Sequence, residues 1–282
     1  MTRRKISIII CSINAGRFAR VCNNYQNLMV GHDFEIIGIH DAHSLAEGYN
    51  RGIQQSTGDI MIFSHDDILV LDKAFARKII RRLEKFDLLG FVGTSRLING
   101  TWFGAGQPHL HGVISHARPL QPILSLDVFG VNSWPVISGI KAIDGLCMIA
   151  NGELARSIGF DAVTFDGFHL YDLDFSFSAY LAGYKLGICC DIPIIHESTG
   201  QYDEKYGEQA RRFCDKHHQQ LDGFDSQDPT QTPRTKAEGK QAKLPDSDAL
   251  LKLWHPDILR RVTATLHHTA KALDEEHTPP SL

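Results

Sequence analysis

At 282 residues, 43% hydrophobic and 22% charged, the chain has ordinary globular composition and enough apolar residues for a sizeable core. Its 29 lysines and arginines against 33 acidic residues give a net charge of −4, which excludes a general electrostatic footprint for nucleic acid or an anionic membrane. Six cysteines with no CxxC spacing read as reduced thiols, several of them small core residues, not as a disulfide framework.

The opening "MTRRKISIIICSINAGRF" has the basic start of a secretory signal. Its apolar run is short, broken by Ser7, Cys11 and Ser12, and followed by no small-residue cleavage site. It reads as a buried first strand over 5–13. No window approaches the roughly 18 apolar residues that span a bilayer. A cytoplasmic protein without a transmembrane segment is expected, with the inner membrane face as an alternative address.

The β-branched runs 5–13 and 34–39 are nearly continuous in apolarity, as parallel strands buried on both faces are. Between them Phe18, Val21, Cys22, Tyr25, Leu28 and Met29 follow helical spacing and stop at Gly31. The unit repeats: "SLAEGYNRGIQQSTG" predicts a helix and 59–63 a strand. The amphipathic helix "LDKAFARKIIRRLEKF" and the strand "LLGFVG" follow. Alternating β and α with short connections predicts a doubly wound, mostly parallel α/β sheet flanked by helices.

Residues 94–142, rich in Gly, Trp, Pro and His, predict irregular hairpins or loops around a site. Then come "IDGLCMIANGELARSIGF", the loop "DAVTFDGFHLYDL", a helix from Asp174 to Ala182, and the strand "KLGICCDIPIIH". Asp174 suits the N-cap of that helix and Gly183 its C′ position. Residues 223–249 lack large apolar side chains and predict a flexible linker. The tail has Pro256 in a first turn and Ile258, Leu259, Val262, Leu266, Ala270 and Leu273 on one stripe, a helix for the main domain or a second copy. The expected organisation is a domain over 1–222, a linker over 223–249 and a helical extension over 250–282.

In doubly wound sheets ligands bind at the carboxyl ends of the strands. Those ends carry Ser12 and Asn14, then His40 and Asp41, then His65, Asp66 and Asp67, and later His196. Adjacent carboxylates after a buried strand repel each other and lose hydration. A divalent cation, Mn²⁺ or Mg²⁺, with open positions for phosphate oxygens accounts for them better than a helix cap ahead of Leu69.

"ISIIICSINAGRF", "FEIIGIHDAHSLAEGYNRGIQQSTGDIMIFSHDDI", "IDGLCMIANGELARSIGFD" and "YDLDFSFSAYLAGYKLGI" together resemble GT-A fold glycosyltransferases of the family 2 type, over about residues 5 to 200 and in the family's order. The resemblance implies a nucleotide-sugar pocket containing Ser12, Asn14, Asp41, Asn50, Gly52 and Asp66, with Asp41 on the base. From the residues alone, Gly52 is equally a helix irregularity. The family's Asp-x-Asp motif falls on His65-Asp66-Asp67, which implies Asp67 as metal ligand and leaves His65 at the ribose-contact position. His196 matches a further metal ligand. Asp172 matches the catalytic base, with Tyr171 where the family has Glu, and Asp144 and Gly145 match contacts to donor sugar or acceptor.

The implied reaction is transfer of a hexosyl group from a UDP-sugar to a hydroxyl of a glycan or lipid-linked acceptor in polysaccharide biosynthesis. Inversion is expected from single displacement. Two rivals stay open. A sugar nucleotidyltransferase would carry a more basic loop than "SINAGRF", and a non-catalytic nucleotide-sugar-binding or scaffold protein would bind without turnover. Elsewhere His109, His111 and His116 suit structural or acceptor-pocket roles. His217-His218 and His267-His268 resemble helix-surface pairs, and Cys189-Cys190 core residues. Trp102, Phe103 and Trp134, in Gly-rich loops, read equally as faces for an acceptor sugar and as buried rings.

Overall fold

Strand β1, Ile6–Cys11, is buried along nearly its whole length because Ile6, Ile8, Ile9 and Ile10 face cores on both sides of the sheet. In the computed structural model, which describes residues 4–117, 124–198, 202–223 and 247–276, it runs parallel to two neighbours. Helix α1, Ala15–Leu28, follows it, capped by Asn14, whose side chain accepts from the Arg17 amide at 3.0 Å. Strand β2, Phe34–Ile39, pairs with one edge of β1. Helix α2, Leu45–Gln55, is capped by Ser44 and returns the chain to β3, Ile60–Ser64, on the other edge. This βαβαβ unit matches the predicted elements.

Beyond β3 the chain builds a second sheet. The short β4, Ile68–Val70, and helix α3, Phe75–Arg82, lead to β5, Leu88–Gly90, and β6, Val92–Thr94. The run "LLGFVG" is therefore two strands, not one. The chain changes sheet at the buried Phe91, with β5 in the first sheet and β6 in the second. Within 94–142, predicted as irregular, β7 (Leu110–Ala117) and β8 (Leu124–Gly130) pair antiparallel, followed by β9 (Val136–Ile140) and β10 (Ala142–Ile143). Strand β11, Cys147–Asn151, and helix α4, Gly152–Ile158, come next.

Helix α5, Tyr171–Leu181, starts three residues before the predicted Asp174. Its entry is Leu170 at φ 59°, a left-handed conformation that leucine does not announce. Asp174 is no cap but a buried first-turn acid. The predicted end holds, with Gly183 at φ 87°. Strands β12 (Leu186–Cys189) and β13 (Ile194–His196) and helix α6 (Glu204–His217) complete this part. The sequence reading provided no element for α6, although its Asp203 cap and buried Ala210, Phe213, Cys214 and His217 carry a helical pattern.

The first sheet has the order β2-β1-β3-β11-β5-β12-β9 and the second β10-β6-β7-β13-β4, with β8 on β7. In the first sheet β2–β1, β1–β3 and β5–β12 are parallel, and β3–β11, β11–β5 and β12–β9 antiparallel. The sheet is mixed, not mostly parallel, because the detour through the second sheet returns β11 from the opposite end.

Helices α7, Ser247–Leu253, and α8, Pro256–Glu276, settle on their own chain. The Trp254 indole donates to the Cys190 carbonyl at 2.7 Å, Leu259 is buried, and Thr263 Oγ1 accepts from the Val131 amide at 2.9 Å. Most of the predicted linker lies outside the described residues. No helix among the described residues is long and apolar enough to cross a membrane.

Candidate active site

The three side chains after β3 fan apart. Asp66 turns to β1, where Oδ2 accepts from Ser12 Oγ at 2.6 Å and Arg17 stands 3.9 Å from Oδ1. Asp67 turns into the second sheet, its Oδ1 3.3 Å from His196 Nε2. His65 lies between, with Nδ1 3.5 Å from His196 Nε2 and 3.9 Å from Asp67 Oδ1, and with Nε2 2.7 Å from the Tyr171 hydroxyl. The repulsion expected of adjacent carboxylates is thus relieved by sending each to a different sheet.

His196 arrives because β13 pairs antiparallel with β4, setting His196 against Ile68. His65, Asp67 and His196 each offer a ligand atom within 4.8 Å of the other two. Burial alone would push Asp67 toward its neutral form, but His196, His65 and Ser198 more than offset it and hold the carboxyl well below the usual range. A buried carboxylate kept ionised between two imidazoles fits a divalent cation. His65, expected as a ribose contact, belongs to this donor set beside Asp67 and His196. Behind it His116 packs 5.6 Å from the His196 ring and bonds the Ser198 carbonyl through Nδ1 at 2.8 Å.

Asp172 enters from the first turn of α5. The Gly145 amide donates to its Oδ2 at 2.6 Å. Burial, and then the neighbouring Asp144 carboxylate, push Asp172 up to about 7 against the pull of the Leu173 and Gly145 amides. Asp144 is fixed by the Trp102 indole, which donates to Oδ2 at 2.9 Å. A carboxyl with this affinity for protons, half-buried at a cavity wall, is suited to proton abstraction near neutral pH. The cavity, about 190 Å³, is lined by His65, His196, Asp144 and Asp172 on its polar side and by aromatic rings that include Trp102 and Tyr202.

The remaining predicted residues divide into two groups. Ser12, Asn14, His40 and Asp41 meet at the carboxyl ends of β1 and β2, where His40 Nδ1 lies 2.8 Å from the Ser12 carbonyl and Asp41 pairs with Arg51 at 2.7 Å. Asn50 and Gly52 are used in packing. The Asn50 amide donates to the Phe160 carbonyl at 2.7 Å and accepts from its amide at 2.9 Å. A Cβ on Gly52 would stand 2.2 Å from Ile9 Cγ2, so this glycine seats α2 on β1. His217, expected on a surface, is buried against Asp174 at 2.7 Å.

Sequence reasoning missed Arg17, Arg51, the place of His116 behind His196 and the contact of Tyr171 with His65. Arg17 had a signal, in the first turn of a helix that opens two residues after the predicted strand ends. A larger cavity of about 610 Å³ lies at the opposite ends of the strands and is lined by Arg4, Asp59, Asp87, Asn151, Glu153 and Arg156. Arg4 is spent on the Asp59 carbonyl and Asn151, and Arg156 on the Gly58 carbonyl, so that cavity offers no convergent chemistry.

The family model described as "Glycosyltransferase like family" matches residues 7–217. No curated protein matches the chain. Among solved structures it is similar to the mannosyltransferase PcManGT of Pyrobaculum calidifontis, in complex with GDP-Man and Mn²⁺, at 12% identity, 99% of this chain and 78% of that one, TM-score 0.46. It is also similar to GalNAc-T7 with UDP, GalNAc and Mn²⁺, at 10% identity, 70% of this chain and 44% of that one, TM-score 0.44. S. aureus TarS 1-349 matches at 10% identity, 98% and 93% coverage, TM-score 0.42. The family assignment rests on the sequence match.

Proposed function

This chain belongs to the glycosyltransferase-like family, and from that premise we propose that it transfers a sugar from a nucleotide-sugar, a UDP-sugar by expectation, to a hydroxyl of a glycan or lipid-linked acceptor. One observation carries the reading: Asp172 lines the same cavity as His65 and His196, two members of the His65–Asp67–His196 cluster. A base and a cation-binding donor set on one cavity are the two groups that such a transfer requires.

Asp172 takes the proton of the acceptor hydroxyl as that oxygen attacks the anomeric carbon. An affinity for protons near neutrality serves this step, because a weaker base would abstract too little and a stronger one would start protonated. Attack from the side opposite the leaving diphosphate inverts the anomeric centre. Gly145 orients Asp172 through its amide. Ser12, Asn14, Asp41 and Asp66 receive the nucleoside portion, and the faces of Trp102, Phe103 and Tyr202 receive sugar. A divalent cation, Mn²⁺ or Mg²⁺, held by His65, Asp67 and His196 would offset the charge that develops on the leaving diphosphate. The free thiols, four of the six buried, support a reducing, cytoplasmic setting for a role in polysaccharide biosynthesis.

Calorimetric titration with UDP, GDP and CDP, each with and without Mn²⁺, tests the reading on wild type and Asp67→Ala. The expected result is cation-dependent binding of one nucleotide, lost in Asp67→Ala. Asp172→Asn is expected to abolish transfer and keep nucleotide affinity. No nucleotide binding under any condition would overturn the assignment.

A further inference from the structure

The hydrogen bond between His65 and Tyr171 joins the donor cluster to the segment that carries Asp172. His65 Nε2 stands 2.7 Å from the Tyr171 hydroxyl, and that hydroxyl reaches the Gly145 carbonyl at 3.5 Å. A neutral imidazole carries one proton, so the partner of one ring nitrogen decides what the other can do. When Nε2–H donates to the Tyr171 oxygen and the Tyr171 O–H donates to Gly145, Nδ1 keeps its lone pair. That nitrogen is the one facing Asp67 and His196, at 3.9 and 3.5 Å.

The Tyr171 ring cannot swing away easily. It is buried, with its centroid 5.6 Å from that of Tyr49 and 6.2 Å from that of Phe160. The hydroxyl is therefore presented to His65 by a rigid aromatic cluster rather than by a mobile side chain. Outer partners of this kind set the tautomer and orientation of a ligating histidine.

We propose that Tyr171 is a positioning residue that turns His65 Nδ1 toward a cation, and that the resulting set of two imidazoles and one carboxylate selects a first-row transition cation over Mg²⁺. This deepens the proposed function and rests on the His65–Asp67–His196 cluster being its cation site. The selectivity follows from ligand chemistry. Mg²⁺ takes oxygen ligands and gives up its waters reluctantly, whereas imidazole nitrogen suits the later first-row ions, with affinity rising from Mn²⁺ to Cu²⁺ and falling back at Zn²⁺. With oxygen in place of His65, the same site would tolerate Mg²⁺ far better.

The test measures cation binding without nucleotide or turnover. Wild type, Tyr171→Phe, His65→Asp and the double variant are titrated calorimetrically with Mg²⁺, Mn²⁺, Co²⁺ and Zn²⁺, and the visible spectrum of each Co²⁺-loaded protein is recorded. Tyr171→Phe keeps the ring in its aromatic cluster, and His65→Asp gives a second background should that variant fold poorly. Wild type is expected to bind Co²⁺ and Zn²⁺ at least about tenfold more tightly than Mg²⁺. Tyr171→Phe is expected to lose about 10–100-fold in Co²⁺ and Zn²⁺ affinity with an altered Co²⁺ spectrum. His65→Asp is expected to narrow the gap to Mg²⁺ and to make Tyr171→Phe silent.

Unchanged affinity and spectrum in Tyr171→Phe would overturn the positioning role and leave the proposed function standing. A wild type that prefers Mg²⁺ would overturn the selectivity. No cation binding by wild type would overturn this inference and the cation site together, while nucleotide binding alone would keep the donor-site reading alive.

Discussion

Asp172 and Asp144 face one cavity as neighbouring carboxyls, and the Gly145 amide between them donates to Asp172 at 2.6 Å. Asp144 is the largest charge raising Asp172, after burial itself. Transfer needs the ionised base, so kcat is expected to rise with pH through about 7. In Asp144→Asn the charge is gone while an oxygen remains for the Trp102 indole. The acidic limb is then expected to move down by about one unit, a differential interaction of about 1.4 kcal/mol. Profiles of kcat against pH at saturating substrate check this, and an unmoved limb would leave burial as the sole cause.

The same shift has a sign for stability. A carboxyl raised in the folded state binds protons more tightly there than in the unfolded chain. Its contribution is full below its ordinary range near 4 and is lost as pH rises through about 7. Asp172→Asn carries no such loss. Thermal melts in chelator at pH 5 and pH 8 are expected to show the variant gaining on wild type at the higher pH. A variant that loses ground to wild type as pH rises would contradict the raised affinity. Glu35 works oppositely, held at about 2 by the Ser7, Lys5 and Thr57 hydrogen bonds that outweigh its burial, so comparing the two proteins cancels its effect.

Gly145 leaves no room for a side chain. A Cβ there would stand 2.4 Å from the Tyr171 hydroxyl and 2.6 Å from Asp172 Cβ. Gly145→Ala is expected to push the base aside and lower kcat by about 10²-fold, the usual consequence of a displacement near 1 Å, with a smaller loss of cation-dependent nucleotide affinity through the displaced Tyr171 hydroxyl. Steady-state kinetics beside a nucleotide titration separate the two effects. Equal losses in both would mean that the loop, not the base, had moved.

What the sequence disclosed depends on how local the cause is. β1, β2 and β3 were legible because each is an apolar run closed by a polar end, and so was the nearness of Asp67 and His196, which follow or end such runs on one edge of the fold. The change of sheet at Phe91 was not legible, since "LLGFVG" is apolar on both faces of either strand. Asp174 resembled a cap because acids favour that place. The actual start depends on Leu170 adopting φ 59°, which the fold imposes. Asn50 and Gly52 suggested a ligand, yet Phe160 and Ile9 account for both. His65 and Tyr171 lie 106 positions apart, and each departs from the pattern the chain resembles. Their contact brings the two departing positions together, which neither position reveals alone.

The buried pair His217–Asp174 is the anchor by which α6 holds α5. Asp174 is 2% exposed, and its carboxylate takes His217 Nε2 at 2.7 Å and Lys216 Nζ at 2.8 Å. His217 also packs its ring 4.7 Å from Phe213 and 5.2 Å from Phe177. Removing one hydrogen-bond partner of a buried carboxyl leaves it less well satisfied, at a cost of about 1–3 kcal/mol. Lys216 remains in His217→Ala while the ring's packing is lost with its hydrogen bond, so a loss of about 2 kcal/mol is expected. His217→Gln, which keeps a donor, is expected to lose less. Asp172 sits two residues before Asp174 on the same helix, so the loosened α5 is expected to lower kcat while nucleotide affinity holds. Denaturant unfolding and amide exchange on α5 measure the two parts. A loss below about 1 kcal/mol in His217→Ala would mean that Lys216 compensates Asp174 by itself and that α6 is not what holds the base in register.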